Sequence, residues 1–342
     1  FLNLPLYGQE LQDGLETINF PENVKSLQQD WLGRSEGANI LFSIADSDEE
    51  IEVFTTRPDT LFGATFVTLA PEHPLAASLV AGTPHEEAWK ALHDEVAVTS
   101  EFDRIKNMNK KKGVFSGRYA VHPLTGENVP IWFGNFVIAT YGTGAVMAVP
   151  AHDERDFDFA KQYDIPIHRV LVMSENGDAT APLTKAEVEL GWMVNSPLEG
   201  FDGLYGSEAK SAVCEALEAK GRGHQTINWK IRPWLISRQR YWGTPIPAIH
   251  CKSCGVVPVP EEDLPVELPR DVVFGQGNPL ETSASFLNVA CPTCGEDARR
   301  ETDTMDTFMD SSWYFLRYTD ALNDEAPFSK QIADHWMQVD FY

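Results

Sequence analysis

CKSCG, from Cys251 to Gly255, and CPTCG, from Cys291 to Gly295, limit the folding of this chain more than any other feature. Two cysteines two residues apart, closed by a glycine, make a knuckle whose backbone N–H groups can point at thiolate sulfur. Four soft thiolates in two such knuckles suit a tetrahedral Zn2+ in a closed, structural site, with no open position for chemistry. Cys251, Cys254, Cys291 and Cys294 are therefore the expected metal ligands, and residues 251–299 the expected small zinc ribbon. Two disulfides or a redox pair would use the same residues, but a reducing compartment disfavours the former. The fifth cysteine, Cys214, falls in the apolar pattern of a helix and reads as core.

The chain's 342 residues exceed one compact core and point to two or three domains. There is no repeat and no low-complexity tract. No apolar run approaches the length of a bilayer span, and the opening FLNLPLYGQE lacks a basic lead and a small-residue cleavage site, so a cytoplasmic protein with no membrane partner is expected. Lys and Arg number 27 against 51 Asp and Glu, a net charge of −24. Such a balance argues against a broad nucleic-acid face, because phosphates need a positive footprint. Either no nucleic acid is bound, or it is met locally while the remaining acid keeps the protein soluble, as in salt-adapted proteins. The dense basic stretches are Lys106 with Lys110, Lys111 and Lys112, and the group Arg232, Arg238 and Arg240.

The periodicity is that of an α/β protein. Residues 1–37 read as a helical segment and linker, with Val24, Leu27 and Trp31 on one apolar face after Pro21. Residues 38–228 read as one strand-rich α/β unit. It opens on a hairpin in which Ile51 and Val53 alternate with charge, and includes helices at DERDFDFAKQY and SEAKSAVCEALEAKG, the latter ending on Gly221. Residues 229–250 turn aromatic and basic, and within 300–342 the stretch DTMDTFMDSSWYFLRYTD reads as polar-aromatic and helical.

Two segments carry chemistry. TTRPDTLFG concentrates hydroxyls in Thr55, Thr56 and Thr60 around Arg57 and Asp59, with no serine, cysteine or histidine. GTGAVMAVPAHDERDFDFA runs from two glycines into His152, Asp153, Arg155 and Asp156 at an expected helix start. Exposed N–H groups there favour an anion or oxyanion, and the carboxylates favour an ammonium group; simple helix capping explains the same acids.

These segments resemble the two signatures of the editing domain inserted into class I leucyl-, isoleucyl- and valyl-tRNA synthetases. PWLISRQRYWGTPIP resembles the return to the catalytic domain, and DTMDTFMDSSWYFLRY a later stretch of it. Within the trio, TTRPDT, PAHDERD and RQRYWGTPIP resemble the bacterial leucyl type, as does NFPENVKSLQQDWLGRSEGA. The resemblance implies an editing domain inserted in a class I Rossmann-like catalytic domain, only partly present, plus the zinc ribbon. HIGH and KMSKS are absent; in the family they lie on either side of this region, so ligase activity, with its ATP and Mg2+, belongs to the full enzyme. Pro233 stands where the family usually has an acid, which puts local hydrogen bonding in question.

The implied reaction is hydrolysis of the ester joining a wrong amino acid to the terminal adenosine of tRNA-Leu, in a monomer. Such an ester needs no covalent nucleophile, because hydroxyls that both donate and accept can hold the attacking water. By resemblance Thr55 and Thr56 contact the reacting end, Thr60 is the wall that excludes leucine, and Asp156 holds the substrate ammonium. Tyr141, Met147 and His152 line the pocket, Arg57 pairs with Asp59, Asp153 orients its neighbours, and Arg155 joins Lys110–Lys112 in local tRNA contact. Phe308, Ser311 and Tyr314, spaced for one helical face, line the leucine pocket of the synthetic site. A non-catalytic zinc-ribbon module that docks RNA, and a valyl- or isoleucyl-type editing domain, are the alternatives.

Overall fold

Residues 35–228 form one unit, and residues 1–34 with 229–342 form another. The structure, a computed structural model, describes residues 1–99, 104, 111–139, 142–275 and 277–339.

In the unit 35–228, β1 (Arg34–Ile44) and β2 (Glu50–Thr55) make the expected hairpin, in register from Ala38 opposite Thr55 to Ser43 opposite Glu50. Ile51 and Val53 are buried while Glu50 and Glu52 are exposed, the period-two signature of a sheet with one face in the core. The other strands are β3 (Phe66–Leu69), β4 (Gly113–Val121), β5 (Asn128–Gly134), β6 (Ala145–Ala148), the small hairpin β7 (Leu171–Val172) and β8 (Trp192–Met193), and β9 (Gly223–Trp229). The main sheet runs β2-β1-β4-β5-β3-β6, with β9 added beside β1. Along this path only β3–β5 is parallel, so the sheet is mixed. Its terminal strands β2 and β6 approach one another, so the sheet curls and brings the ends of two distant segments together.

Ile40, Phe42, Leu61, Leu69, Ile131 and Phe133 are fully buried at the centre. Helix Gly206–Ala219 lays Ala209, Val213, Cys214 and Leu217 against this core, which makes Cys214 a packing residue. Gly221 follows that helix at φ +63°, a left-handed turn that glycine adopts without Cβ strain. A second cluster joins Phe66, Phe136 and Phe159 beneath helix Glu154–Tyr163. Gly113 is part of its fit, since a Cβ there would lie 2.3 Å from the Phe159 ring.

In the other unit, helices Gly8–Thr17 and Glu22–Leu32 form as the sequence predicts, the second starting after Pro21 and stopping at Gly33 in the left-handed region. The expected inward face is not the one buried. Leu27 is 65 % and Trp31 59 % exposed, whereas Leu32 packs with Leu15 and Ile231. Burial follows the returning chain, whose Lys230 and Ile231 amides donate to Leu32 O. β10 (Ser237–Arg238) pairs with β15 (Thr304–Met305). β11 (Ala248–Cys251), β12 (Gly255–Pro258), β13 (Asn288–Ala290) and β14 (Asp297–Arg300) form an antiparallel sheet in the order β12-β11-β14-β13. The stretch Thr307–Thr319 is two short helices, Thr307–Ser311 and Tyr314–Thr319, not one, and a further helix, Lys330–Trp336, follows. The Trp313 amide donates to Asp310 O, a tighter turn than the α-helix makes, and interrupts the helix there. No helix among the described residues is long and apolar enough to cross a membrane.

Candidate functional site

β2 ends at Thr55, and Thr55 Oγ1 accepts the Arg57 amide at 3.0 Å, so its own hydroxyl proton stays free to donate. The 3-10 turn Pro58–Gly63 that follows is wholly buried, a rare place for a loop and one that demands internal partners. Arg57 O accepts both the Thr60 amide (3.1 Å) and Thr60 Oγ1 (2.8 Å), and His122 Nε2 meets Leu61 O at 3.0 Å. Thr60 has its hydroxyl committed and 0 % of its surface exposed, so it offers shape rather than a free donor. Asp59 is equally deep and is gripped by Arg57 through Nε and Nη2 at 2.9–3.1 Å.

The second segment meets the first where β6 approaches β2. Asp153 caps helix Glu154–Tyr163, accepting the Arg155 and Asp156 amides and pairing with the Arg155 guanidinium. Asp156 is 5 % exposed, and its Oδ2 accepts the Val149 amide at 2.8 Å. Burial pushes its carboxyl up to about 8, and the nearby Asp153 carboxylate adds to the rise. A cavity of about 470 Å³ is lined by Thr55, Thr56, Arg57 and Thr60 from the first segment. Met147, His152, Asp153, Arg155 and Asp156 line it from the second. Tyr141 lies outside the described residues, as do Lys106 and Lys110. Lys111 and Lys112 are paired with Asp158 and Glu95, so either must leave an internal acid to meet a phosphate.

Phe54, Phe136, Val137, Ile138, Val146 and Val149 also line the cavity. Phe54 adjoins Thr55 on β2, and Val146 and Val149 lie within the second segment. Phe136, Val137 and Ile138 belong to neither segment and reach the cavity through the path of β5 and its pairing with β3. His152 lines the cavity with both its nitrogens taken. Nε2 accepts the Val170 and Leu171 amides at 3.1 and 3.2 Å, so Nδ1 carries the proton and donates to Glu187 O at 3.0 Å. Arg57 holds the next two carbonyls, Val188 O and Glu189 O. His152 is thus a clamp on the strap 187–189, without a free nitrogen for proton transfer.

Burial lowers the His152 pKa to about 4. A depressed folded value means that the neutral ring is the form the fold accommodates. This contribution to stability is complete above pH 6.5 and is lost as pH falls towards 4. Thermal melts of the protein are expected to lose on the order of 3 kcal/mol from this group across that interval, and glutamine at His152 should flatten the slope. An unchanged slope would rule the ring out as its source.

The family model described as "Leucyl-tRNA synthetase, editing domain" matches residues 29–218. The chain belongs to the leucyl-tRNA synthetase family. A model of class I tRNA synthetases of the I, L, M and V types matches residues 218–337. The chain is 52 % identical to the leucine–tRNA ligase of Acaryochloris marina, over 100 % of its own length and 40 % of that protein. It is 50 % identical to the one from Nitratidesulfovibrio vulgaris, over 100 % and 42 %. The crystal structure of the ternary complex of Agrobacterium radiobacter K84 agnB2 LeuRS with tRNA and LeuAMS is similar at a TM-score of 0.80 and 39 % identity. It covers 97 % of this chain and 38 % of that one. The chain spans about two fifths of the length of the curated relatives it matches.

This leucyl-tRNA synthetase family member brings Cys251, Cys254, Cys291 and Cys294 together with all four Sγ atoms within 4.8 Å of one another. None is in a disulfide, and Cys251 Sγ and Cys294 Sγ are 3.6 Å apart. A tetrahedron with Zn–S near 2.3 Å has edges of about 3.8 Å, so the donors fit such an ion after a small contraction. Gly255 and Gly295 adopt φ +76° and +78°, the left-handed turns that knuckles need. Phe308, Ser311 and Tyr314 are exposed and divided between the two short helices of the other unit.

Proposed function

We propose that the cavity of the unit 35–228 hydrolyses the ester of mischarged aminoacyl-tRNA-Leu, and that the chain is the central part of a leucine–tRNA ligase. In this reading residues 38–228 are the editing domain. Residues 1–37, 229–250 and 300–342 belong to a Rossmann-like catalytic domain that uses ATP and Mg2+ when whole, and residues 251–299 are a zinc ribbon. The observation that carries the reading is one cavity lined by Thr55, Thr56 and Thr60 on one side and a buried Asp156 on the other.

Ionised Asp156 binds the ammonium of the amino acid, which draws its raised pKa down and draws the ester into place. The Thr55 hydroxyl, free to donate, and the exposed Thr56 hydroxyl hold the ribose and the attacking water. Water adds to the ester carbonyl, negative charge develops on its oxygen, and hydroxyl donors steady it. The C–O bond to the ribose then breaks, one proton of the water passes to the ribose oxygen and the other to solvent, and the amino acid leaves as its carboxylate. His152 takes no part in proton transfer, because its ring is tied at both nitrogens. Thr60 rejects leucine by bulk, which matters because an apolar pocket separates near-identical side chains by only about 1–3 kcal/mol per methylene.

The test is deacylation of mischarged tRNA-Leu by the purified chain, with correctly charged leucyl-tRNA as control. Turnover of the first alone is expected; binding without turnover would favour an RNA-docking module instead. Zinc at the four cysteines would act as a cross-link within the four-stranded sheet. Chelation is expected to unfold that sheet, lowering its melting temperature by ten degrees or so, while hydrolysis in the other unit persists. An unchanged melt would leave the ribbon without a metal.

A further inference from the structure

Arg104 is 8 % exposed, does not line the cavity, and has no place in the chemistry above. Its position follows from the parallel pairing of β3 with β5. β3 and β5 run side by side in the same direction, so the chain leaves both at the same edge. Glu72 follows β3, and residues 135–138 follow β5. Arg104 ties the two exits together. Its Nη1 donates to Glu72 Oε1 at 2.5 Å, its Nε to Asn135 O at 3.2 Å and its Nη2 to Val137 O at 2.5 Å.

The turn that receives these bonds is irregular, yet Phe136, Val137 and Ile138 form one wall of the cavity. The same turn is tied by Asn135 N to Lys112 O, by Val137 N to Gly134 O, and by the Lys112 amide to Asn135 Oδ1. A planar guanidinium can serve two carbonyls and a carboxylate in fixed directions; an ammonium is a point charge with no such fork. A buried charge is expensive to keep and strongly destabilising if its partner is removed, so it is retained best where it sets a position.

We propose that Arg104, held by Glu72, is a positioning residue of the hydrolytic site: its guanidinium sets the 135–138 wall against which the aminoacyl-adenosine end of the substrate binds. The proposal rests on the editing reading, and the test separates the two. Wild-type chain, Arg104→Lys and Glu72→Gln are compared in steady-state deacylation of mischarged tRNA-Leu, well below their melting temperatures. Binding of an adenosine carrying an aminoacyl group as a stable amide is measured alongside.

Arg104→Lys is expected to raise KM, and the Kd of the analogue, about ten- to a hundredfold, with kcat within about twofold. Glu72→Gln should shift both in the same direction by less, and it carries the same test if the lysine variant does not fold. A role confined to holding the fold would lower kcat with the folded fraction and leave KM and Kd unmoved; that pattern, or no change in any constant, overturns the proposal. Wild-type chain that neither hydrolyses the ester nor binds the analogue overturns the editing reading itself, and the positioning role with it.

Discussion

Asparagine in place of Asp156 is expected to abolish ester hydrolysis and, at neutral pH, to make the unit 35–228 more stable. Asparagine keeps an oxygen for the Val149 amide, so the turn into helix Glu154–Tyr163 stays closed. What it loses is the anion. Without a charge opposite the substrate ammonium, hydrolysis should fall by roughly a hundred- to a thousandfold. The stability gain follows from the direction of the pKa shift. Burial raises the Asp156 carboxyl to about 8 from its ordinary 3.8. A group with a raised folded value contributes stability that is complete below pH 3.8 and is lost as pH climbs through about 8.

The variant has no such group, so its advantage over the wild type should grow with pH over that window, to about 1–3 kcal/mol near neutrality. In the wild type, kcat/KM should climb between pH 6 and 8 as the carboxyl ionises. Retained hydrolysis in the variant would remove Asp156 from the site. A variant less stable than wild type at pH 8 would show that burial is not what raises the carboxyl. The pair of measurements describes a common bargain, in which a functional charge is held where the fold alone would rather have none.

Thr60→Ala is expected to make the protein hydrolyse correctly charged leucyl-tRNA, by about ten- to two-hundredfold over wild type. Thr60 is fully buried at the cavity and spends its hydroxyl on Arg57 O, so the property it contributes to a ligand is volume. The lost hydrogen bond should destabilise the unit by only about 0.5–1.5 kcal/mol, since Arg57 O still accepts the Thr60 amide. Thr60→Val separates the two features of the side chain. It keeps the shape and discards the hydroxyl, and should still reject leucine. Leucyl-tRNA left intact by the alanine variant, or cleaved equally by both variants, would show that the wall lies elsewhere.

The hairpin β1–β2 and the helix ends at Pro21 and Gly221 were legible because each rests on a local rule: alternation, a fixed φ, or the freedom of a residue without Cβ. The knuckles were legible for the same reason, since CxxCG sets its own turn. The stripe Val24–Leu27–Trp31 misled because periodicity names an apolar face without saying what will cover it; Leu32 won the contact through the returning strand. The interruption at Trp313 escaped because helical spacing persists in sequence across a turn that the backbone tightens. Nothing local to His152 announced that Val170, Leu171 and Glu187 would occupy both its nitrogens.

Sequence alone determined which side chains bring hydroxyls, thiolates and carboxylates to this protein, and the family to which their wording belongs. Those are properties of residue type and short spacing. Tertiary structure alone decided that Thr55 and Asp156, about a hundred residues apart, line one cavity, that Phe136 and Val137 wall it, and that Arg104 stands behind them. Strand order and the curl of the sheet bring β2 to β6 and the exit of β3 to that of β5. Those contacts arise from burying many apolar side chains at once, and no single stretch of the chain encodes them.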